Sequence, residues 1–344
     1  MTSRRMFNSI VVGASLAGTS AAWSKTATGP GAQTPDTRTV YQVRNVSFSS
    51  SGEAIAGKLL TPVTGVRHPA VVIMGPVAFV KEQSPVQYAT RLAAHGLAVL
   101  IFDPRHHGDS TGAPRRLESG EAKVEDLRAA LDFLAKQDEI DADRLHLLGI
   151  CQGVNWTIEA AVQDDRIAAL AVVAGHYLTP DTARMYLGDD ATIAARMERS
   201  AKASAKAAET GEVDYIPIVG SDDALLTATA VADWYLPWDN RAPWLTYRGG
   251  WENRIAAMSE AGIWGWRIDE TSARLNLPVL MIHGDKAASG PEIPRRIYES
   301  IPSAQKSLHW IDGANQLQFY EDPLTIDAVV NVLAPHFQGV PIDL

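Results

Sequence analysis

The chain has 344 residues, a formal charge of −9 at pH 7, and 46% hydrophobic and 21% charged side chains. That composition suits a globular fold with a large core and excludes disordered, collagen-like and coiled-coil readings. An acidic balance without basic blocks speaks against nucleic acid and anionic membranes as partners, and small molecules are the expected ligands.

Residues 1–25 read as an address. Ser3-Arg4-Arg5-Met6-Phe7 precedes a mildly apolar run from Ile10 to Gly18 and then Ser20, Ala21 and Ala22, the order of a twin-arginine export signal. The run falls short of the roughly 20 apolar residues of a membrane helix. The expected location is therefore the periplasm, with no stable membrane association once the signal is removed. Cys151 is the single cysteine, so no intramolecular disulfide forms and its thiol is free in an oxidising compartment.

Two β-rich runs, Val40 to Phe48 and Ala54 to Pro62, flank a Ser-Ser-Ser-Gly turn and predict an antiparallel hairpin. From Ala70 onward, short runs apolar at every position alternate with helix-period segments. The runs are 70–74, 97–102, 145–148, 167–174 and 279–282; the helical segments are 85–95, 121–136 and 154–162. Continuous apolar strands belong to a parallel sheet covered on both faces, so the pattern predicts a doubly wound α/β core over 40–178 and 276–340. Residues 307–311 supply the last strand and 325–336 the closing helix. Between 179 and 275 the alternation stops for longer than any ordinary connection. This predicts an inserted helical, Trp-rich lid with an Ala-rich helix at 191–209 and Trp234, Trp238, Trp244, Trp251, Trp264 and Trp266. Trp is chiefly a burial residue; Trp234, Trp238 and Tyr177 are the candidates for contact with a ligand.

The sharpest local signal is Leu147-Leu148-Gly149-Ile150-Cys151-Gln152-Gly153 running into a helical pattern. Strand, Gly-x-Cys-x-Gly and helix form a nucleophile elbow with Cys in place of the usual Ser. The helix N-terminus aimed at the sulfur favours thiolate over thiol, whereas the bland alternative is a buried, inert cysteine.

With these residues the chain resembles the α/β-hydrolase fold, and within it a dienelactone-hydrolase-like group related to fungal polyketide transferases. The likeness also rests on Val80-Lys81-Glu82-Gln83, on Phe102-Asp103-Pro104-Arg105-His106-His107-Gly108-Asp109-Ser110, on Ile282-His283-Gly284-Asp285-Lys286-Ala287, and on Asp312-Gly313-Ala314 before Tyr320. It implies a Cys or Ser nucleophile, an acid after the seventh strand, and after the eighth a His in the pattern Gly-Ala-x-His, with Tyr four residues on. Here the chain departs, because Gln316 stands where that His belongs. Glutamine does not shuttle protons near neutral pH. Asp285 lies two positions ahead of the usual acid, and its two readings are a catalytic acid and a loop cap. Among the histidines following strands, His176 is the favoured substitute base, against a plain loop role. The oxyanion hole of this fold uses the amide after the nucleophile, Gln152, and one from the loop after Gly75-Pro76. Pro76 has no N–H, leaving Val77 or Ala78.

No metal cluster, phosphate loop or dinucleotide fingerprint stands in the sequence, and no cofactor is implied. The expected function is a Cys-dependent hydrolase or acyltransferase acting on a small ester, lactone or thioester. The alternative is a non-hydrolytic catalyst of rearrangement, cyclisation or elimination, or a ligand-binding protein, reusing the same pocket. The oligomeric state stays open.

Overall fold

A hairpin opens the fold: β1 (Tyr41–Ser50) and β2 (Glu53–Pro62) pair antiparallel along their whole length. The two residues between them, Ser51 and Gly52, both have positive φ, the turn geometry whose twist matches that of the flanking strands. The computed structural model describes residues 40–239 and 250–341. The expected leader and Trp244 lie outside the described residues.

After the hairpin, strands and helices alternate as β3 (His68–Met74), α1 (Ser84–Ala94), β4 (Ala98–Phe102), α2 (Gly120–Leu134), β5 (Ile140–Ile150), α3 (Gly153–Gln163) and β6 (Ile167–Val173). Then comes the insertion: α4 (Pro180–Leu187), α5 (Asp190–Thr210), β7 (Tyr215–Ile216), α6 (Thr229–Tyr235), β8 (Ile255–Ala256), α7 (Glu260–Trp264) and α8 (Ile268–Ser272). The core resumes with β9 (Val279–His283), α9 (Glu292–Ser300), β10 (Lys306–Trp310), α10 (Gln318–Glu321) and α11 (Pro323–Gln338).

The eight long strands form one sheet in the order β1-β2-β4-β3-β5-β6-β9-β10, antiparallel at β1-β2-β4 and parallel from β4 onward. Every residue of β3, β4 and β9 is buried, as a sheet covered on both faces requires. The chain runs from β3 outward to β4, then crosses to β5 on the other side of β3. That reversal opens a crevice beyond the C-terminal ends of β3 and β5, where open α/β sheets bind ligands.

The insertion stands between β6 and β9, which pair with each other in the sheet. Its long helix α5 starts at an Asp189 side chain that accepts the Thr192 N–H at 2.7 Å and ends on left-handed Gly211. It is tied to α7 by buried Glu260, which receives Arg196 at 3.1 Å and Arg199 at 2.6 and 2.7 Å. The two-residue pairing of β7 with β8 is an addition to the expected helical make-up; two residues are too short to show a period. All the described residues fall in a single compact unit.

Candidate active site

Cys151 sits between the last residue of β5 and the first turn of α3 with φ of 55°, a left-handed conformation that costs a residue with a Cβ. The surroundings hold it there: its N–H donates to Val173 O at 3.0 Å and its carbonyl accepts from His176 N at 3.1 Å. The flanking glycines are required by closeness. A Cβ on Gly153 would collide with the Met74 and Gly75 carbonyls at the end of β3, and one on Gly149 with Val154 and Thr157 of α3. The elbow thus wedges α3 against β3 and sets Cys151 at the C-terminal edge of the sheet.

The Cys151 residue is 6% exposed. Around its sulfur converge the Gln152 and Val77 backbone amides and the Tyr320 hydroxyl. Burial pushes the thiol up to about 11, and those three donors pull against that rise. Burial thus works against the thiolate that the helix end favours. Of the two candidate donors in the loop after β3, Val77 faces the sulfur. The Ala78 amide is taken, donating to Glu118 Oε2 at 3.0 Å.

Gln316 makes three hydrogen bonds that leave its amide one orientation. Its Oε1 accepts from Ala288 N at 2.8 Å, while its Nε2 donates to Ala174 O and to the Tyr320 hydroxyl, both at 3.0 Å. Since the Tyr320 oxygen accepts from Gln316, its own proton is left for Cys151. A chain from amide through phenol to sulfur therefore occupies the place where the resemblance expects an imidazole.

The expected acid and base stand elsewhere. Asp285 accepts from Gly313 N at 3.0 and 3.1 Å and from Trp310 Nε1 at 3.2 Å, so it caps the turn after β10. Those amide bonds, the Gly313 one first, hold its carboxyl below the usual range. His176 is buried against Tyr186, with ring centroids 4.7 Å apart, and its Nε2 has no hydrogen-bond partner. Burial holds its imidazole down at about 4. Tyr186, on which His176 packs, lies close enough to Cys151 to feel its charge, and its hydroxyl donates to Ala288 O at 2.9 Å. His283 is likewise spent, with ring nitrogens at the Gly284 and Gly175 carbonyls (2.9 and 3.3 Å).

Trp234 lies on the Tyr320 ring at 4.8 Å and its Nε1 donates to Glu321 Oε2 at 2.9 Å, fastening α6 of the insertion to α10. Trp238 packs on Trp234 at 6.0 Å. Tyr235 follows, stacked on Trp251 at 5.3 Å, with its hydroxyl on Val77 O at 3.4 Å. Trp266 packs on Trp156 of α3 at 4.9 Å, a purely structural contact. Tyr177 is fully buried beside His283, and its hydroxyl bonds to nothing; no contact brings it to Cys151. Among the described residues no group of His, Cys, Asp and Glu could hold a metal ion, and no helix is long and apolar enough to cross a membrane.

Residues 85–323 match the family model described as alpha/beta hydrolase fold. This chain belongs to that family. An uncharacterised protein, PA2218 of Pseudomonas aeruginosa, is 29% identical over 320 residues, covering 85% of this chain and 80% of its own. Its crystal structure superposes with a TM-score of 0.70 over 86% of this chain and 94% of that one, at 27% identity. The polyketide transferase grgF of a Penicillium species is 31% identical over 108 residues, 31% of this chain and 37% of its own. The crystal structure of that α/β hydrolase matches over 87% of this chain and 98% of its own, with a TM-score of 0.71 and 21% identity. The thiohydrolase aneE of Aspergillus aculeatus is 34% identical over 105 residues, 30% of this chain and 33% of its own.

In this α/β hydrolase, sequence reasoning overlooked Tyr186, Tyr235 and Glu118, and took Tyr320 only as a motif position. The Gln316-to-Tyr320 spacing of four residues on one turn was the available signal for Tyr320. Tyr186 and Tyr235 come from the insertion and carry no local motif.

Proposed function

We propose that this α/β hydrolase attacks a small ester, lactone or thioester through Cys151 and transfers the acyl group, with hydrolysis the slower outcome. The observation that carries the reading is the convergence of the Gln152 and Val77 amides on the Cys151 sulfur. Donors so placed stabilise a carbonyl oxygen as it becomes an oxyanion beside the attacking atom. The Sγ–C bond forms, the bond to the leaving group breaks, and the thiol proton departs with the leaving alcohol or thiol. The acyl-enzyme then waits for an acceptor. Neither Gln316 nor the protonated Tyr320 activates water well at neutral pH, which favours transfer over hydrolysis. The carboxamide of Gln152, buried with neither atom bonded, is placed to satisfy itself on a polar substrate group. Relatives named as a polyketide transferase and a thiohydrolase are consistent with such chemistry. We further propose that the leader exports the protein by the twin-arginine route, which replacing Arg4 and Arg5 by Lys would block.

The test incubates the protein and Cys151→Ala with activated esters and thioesters, following intact mass and released product together. The expected result is an acyl mass on Cys151 with slow release, and a loss of at least ~10³-fold in the variant. Absence of both an adduct and Cys151-dependent product across the panel would sink the reading and leave the non-hydrolytic or ligand-binding alternative.

A further inference from the structure

The loop that carries Val77 is fixed by a buried ionic cluster whose carboxylate and ammonium, Glu118 and Lys123, have no part in the motifs above. Glu118 is 2% exposed, Lys123 1% and His107 1%. One Glu118 oxygen takes the Lys123 ammonium; the other takes the Ala78 N–H at 3.0 Å and faces His107 Nε2 at 3.4 Å. The Glu118 backbone N–H is itself held by Ser259 Oγ of the insertion at 3.0 Å. Ala78 has φ of 50°, a conformation an alanine keeps only when its surroundings impose it. The same Val77–Ala78 peptide is restrained at its carbonyl as well, by the Tyr235 hydroxyl on Val77 O.

We propose that Glu118 is a positioning residue for the oxyanion hole. By capturing the Ala78 amide it holds the loop in the left-handed turn that aims the Val77 amide at Cys151, and Lys123 keeps its carboxylate in place. The loop's other anchor has the same character: Lys81 N and Nζ both reach Asp103, at 2.7 Å each, and Nζ also reaches Asp109 at 2.8 Å. Those contacts hold the far end of the loop, whereas Glu118 grips the amide end of the peptide next to the donor, opposite the Tyr235 hydroxyl. Burial would push the Glu118 carboxyl up, but Lys123 and His107 overcome it and hold it at about 2, so the acceptor is charged throughout the neutral range. A charged acceptor holds an amide more firmly than a neutral one.

This proposal rests on Cys151 as the acyl nucleophile, and two reactions of the same sulfur separate the claims. Acylation by a p-nitrophenyl ester passes through an oxyanion; alkylation by iodoacetamide does not. Replacing both partners by apolar residues of similar size, E118L/K123M, removes the acceptor without stranding a buried charge. Acylation of this variant is expected to fall by ~10²-fold or more, the usual cost of losing an oxyanion donor, while alkylation, which loses only the help that the Val77 amide and Lys123 give the thiolate, falls by about tenfold or less. E118Q/K123M, which restores a neutral acceptor for Ala78, should recover acylation to within about tenfold of the wild type. Equal losses in both reactions, or no selective loss in acylation, overturn the proposal. Should the leucine variant not fold, E118Q alone carries the test: a selective loss of about tenfold or less supports positioning, and a hundredfold loss assigns the effect to charge instead. Wild-type protein that alkylates at Cys151 but is never acylated refutes the parent reading, a result distinct from any of these.

Discussion

Around Cys151, at the end of β5, backbone and side chain are organised toward one atom: two amides and a phenol meet at a buried sulfur. At the ends of β9 and β10 the corresponding groups are turned away from chemistry. Asp285 closes a turn, and Gln316 bonds two backbone groups and one phenol. The first corner is rich in oriented dipoles, and the second holds a rigid connector, Gln316, with no titratable group of its own. Transition-state charge stabilisation and proton transfer are separable parts of acyl chemistry, and in the function proposed above this molecule keeps the first while rebuilding the second.

Restoring a base at the second corner is the strongest way to break the comparison. In Gln316→His the imidazole would meet Tyr320 and the Cys151 region from the same backbone position. Breakdown of the acyl-enzyme should accelerate by ~10²-fold, the ordinary worth of a general base. The gain should stop short of a full triad because Asp285 remains committed to Gly313 and Trp310. The Ala288 N–H or the Ala174 carbonyl loses its partner, costing about 1–3 kcal/mol. Single-turnover deacylation and a thermal melt check both statements. An acyl-enzyme as long-lived as that of wild type would mean that proton handling is not what this corner lacks.

The two corners were not equally legible. Gly149 and Gly153 announced the elbow because each stands where a Cβ cannot fit, a requirement written into local spacing. The continuous apolar runs placed the sheet strands for the same reason, since burial on both faces leaves no polar position. The residues around the sulfur are another matter. Tyr186 and Tyr235 arrive from a segment more than thirty positions downstream, and nothing in Arg116-Leu117-Glu118 distinguishes a buried carboxylate from a solvated one. Whether Val77 or Ala78 faces the thiol depends on a single positive φ at Ala78, which sequence does not encode. His176 follows a strand at the crevice edge, and that its ring packs on Tyr186 is a tertiary fact its local sequence does not carry.

Tyr320→Phe sharpens the comparison at the junction of the corners. The hydroxyl donates to the sulfur and favours its anion, so its loss should drive the Cys151 thiol further above about 11. A hydrogen bond to a charged group is worth about 1.5–3 kcal/mol, so acylation and alkylation near neutral pH should both fall about tenfold or more, and their pH profiles should move to the alkaline side. This common loss contrasts with the selective one expected from Glu118. Unchanged alkylation across pH 7 to 10 would remove Tyr320 from contact with the sulfur.

The smallest effect on chemistry belongs to His176→Phe, which keeps the ring stacked on Tyr186 and removes the imidazole. Acylation of Cys151 should stay within about threefold, since the ring nitrogen has no partner and a general base would have contributed ~10²-fold or more. Stability should respond instead. Folded His176 stays neutral down to about pH 4, whereas the unfolded chain takes up its proton near pH 6.5. Folding of the wild type is therefore weakened at this position as pH falls from 6.5 toward 4, with no further loss below. The phenylalanine variant lacks that dependence, so its stability relative to wild type should rise by something on the order of 3 kcal/mol between pH 7 and pH 4. Denaturant melts at the two pH values measure the difference. A loss of acylation by two orders of magnitude, with an unchanged alkylation rate, would instead return His176 to the role of base and make the proton-handling corner a displaced one rather than an absent one.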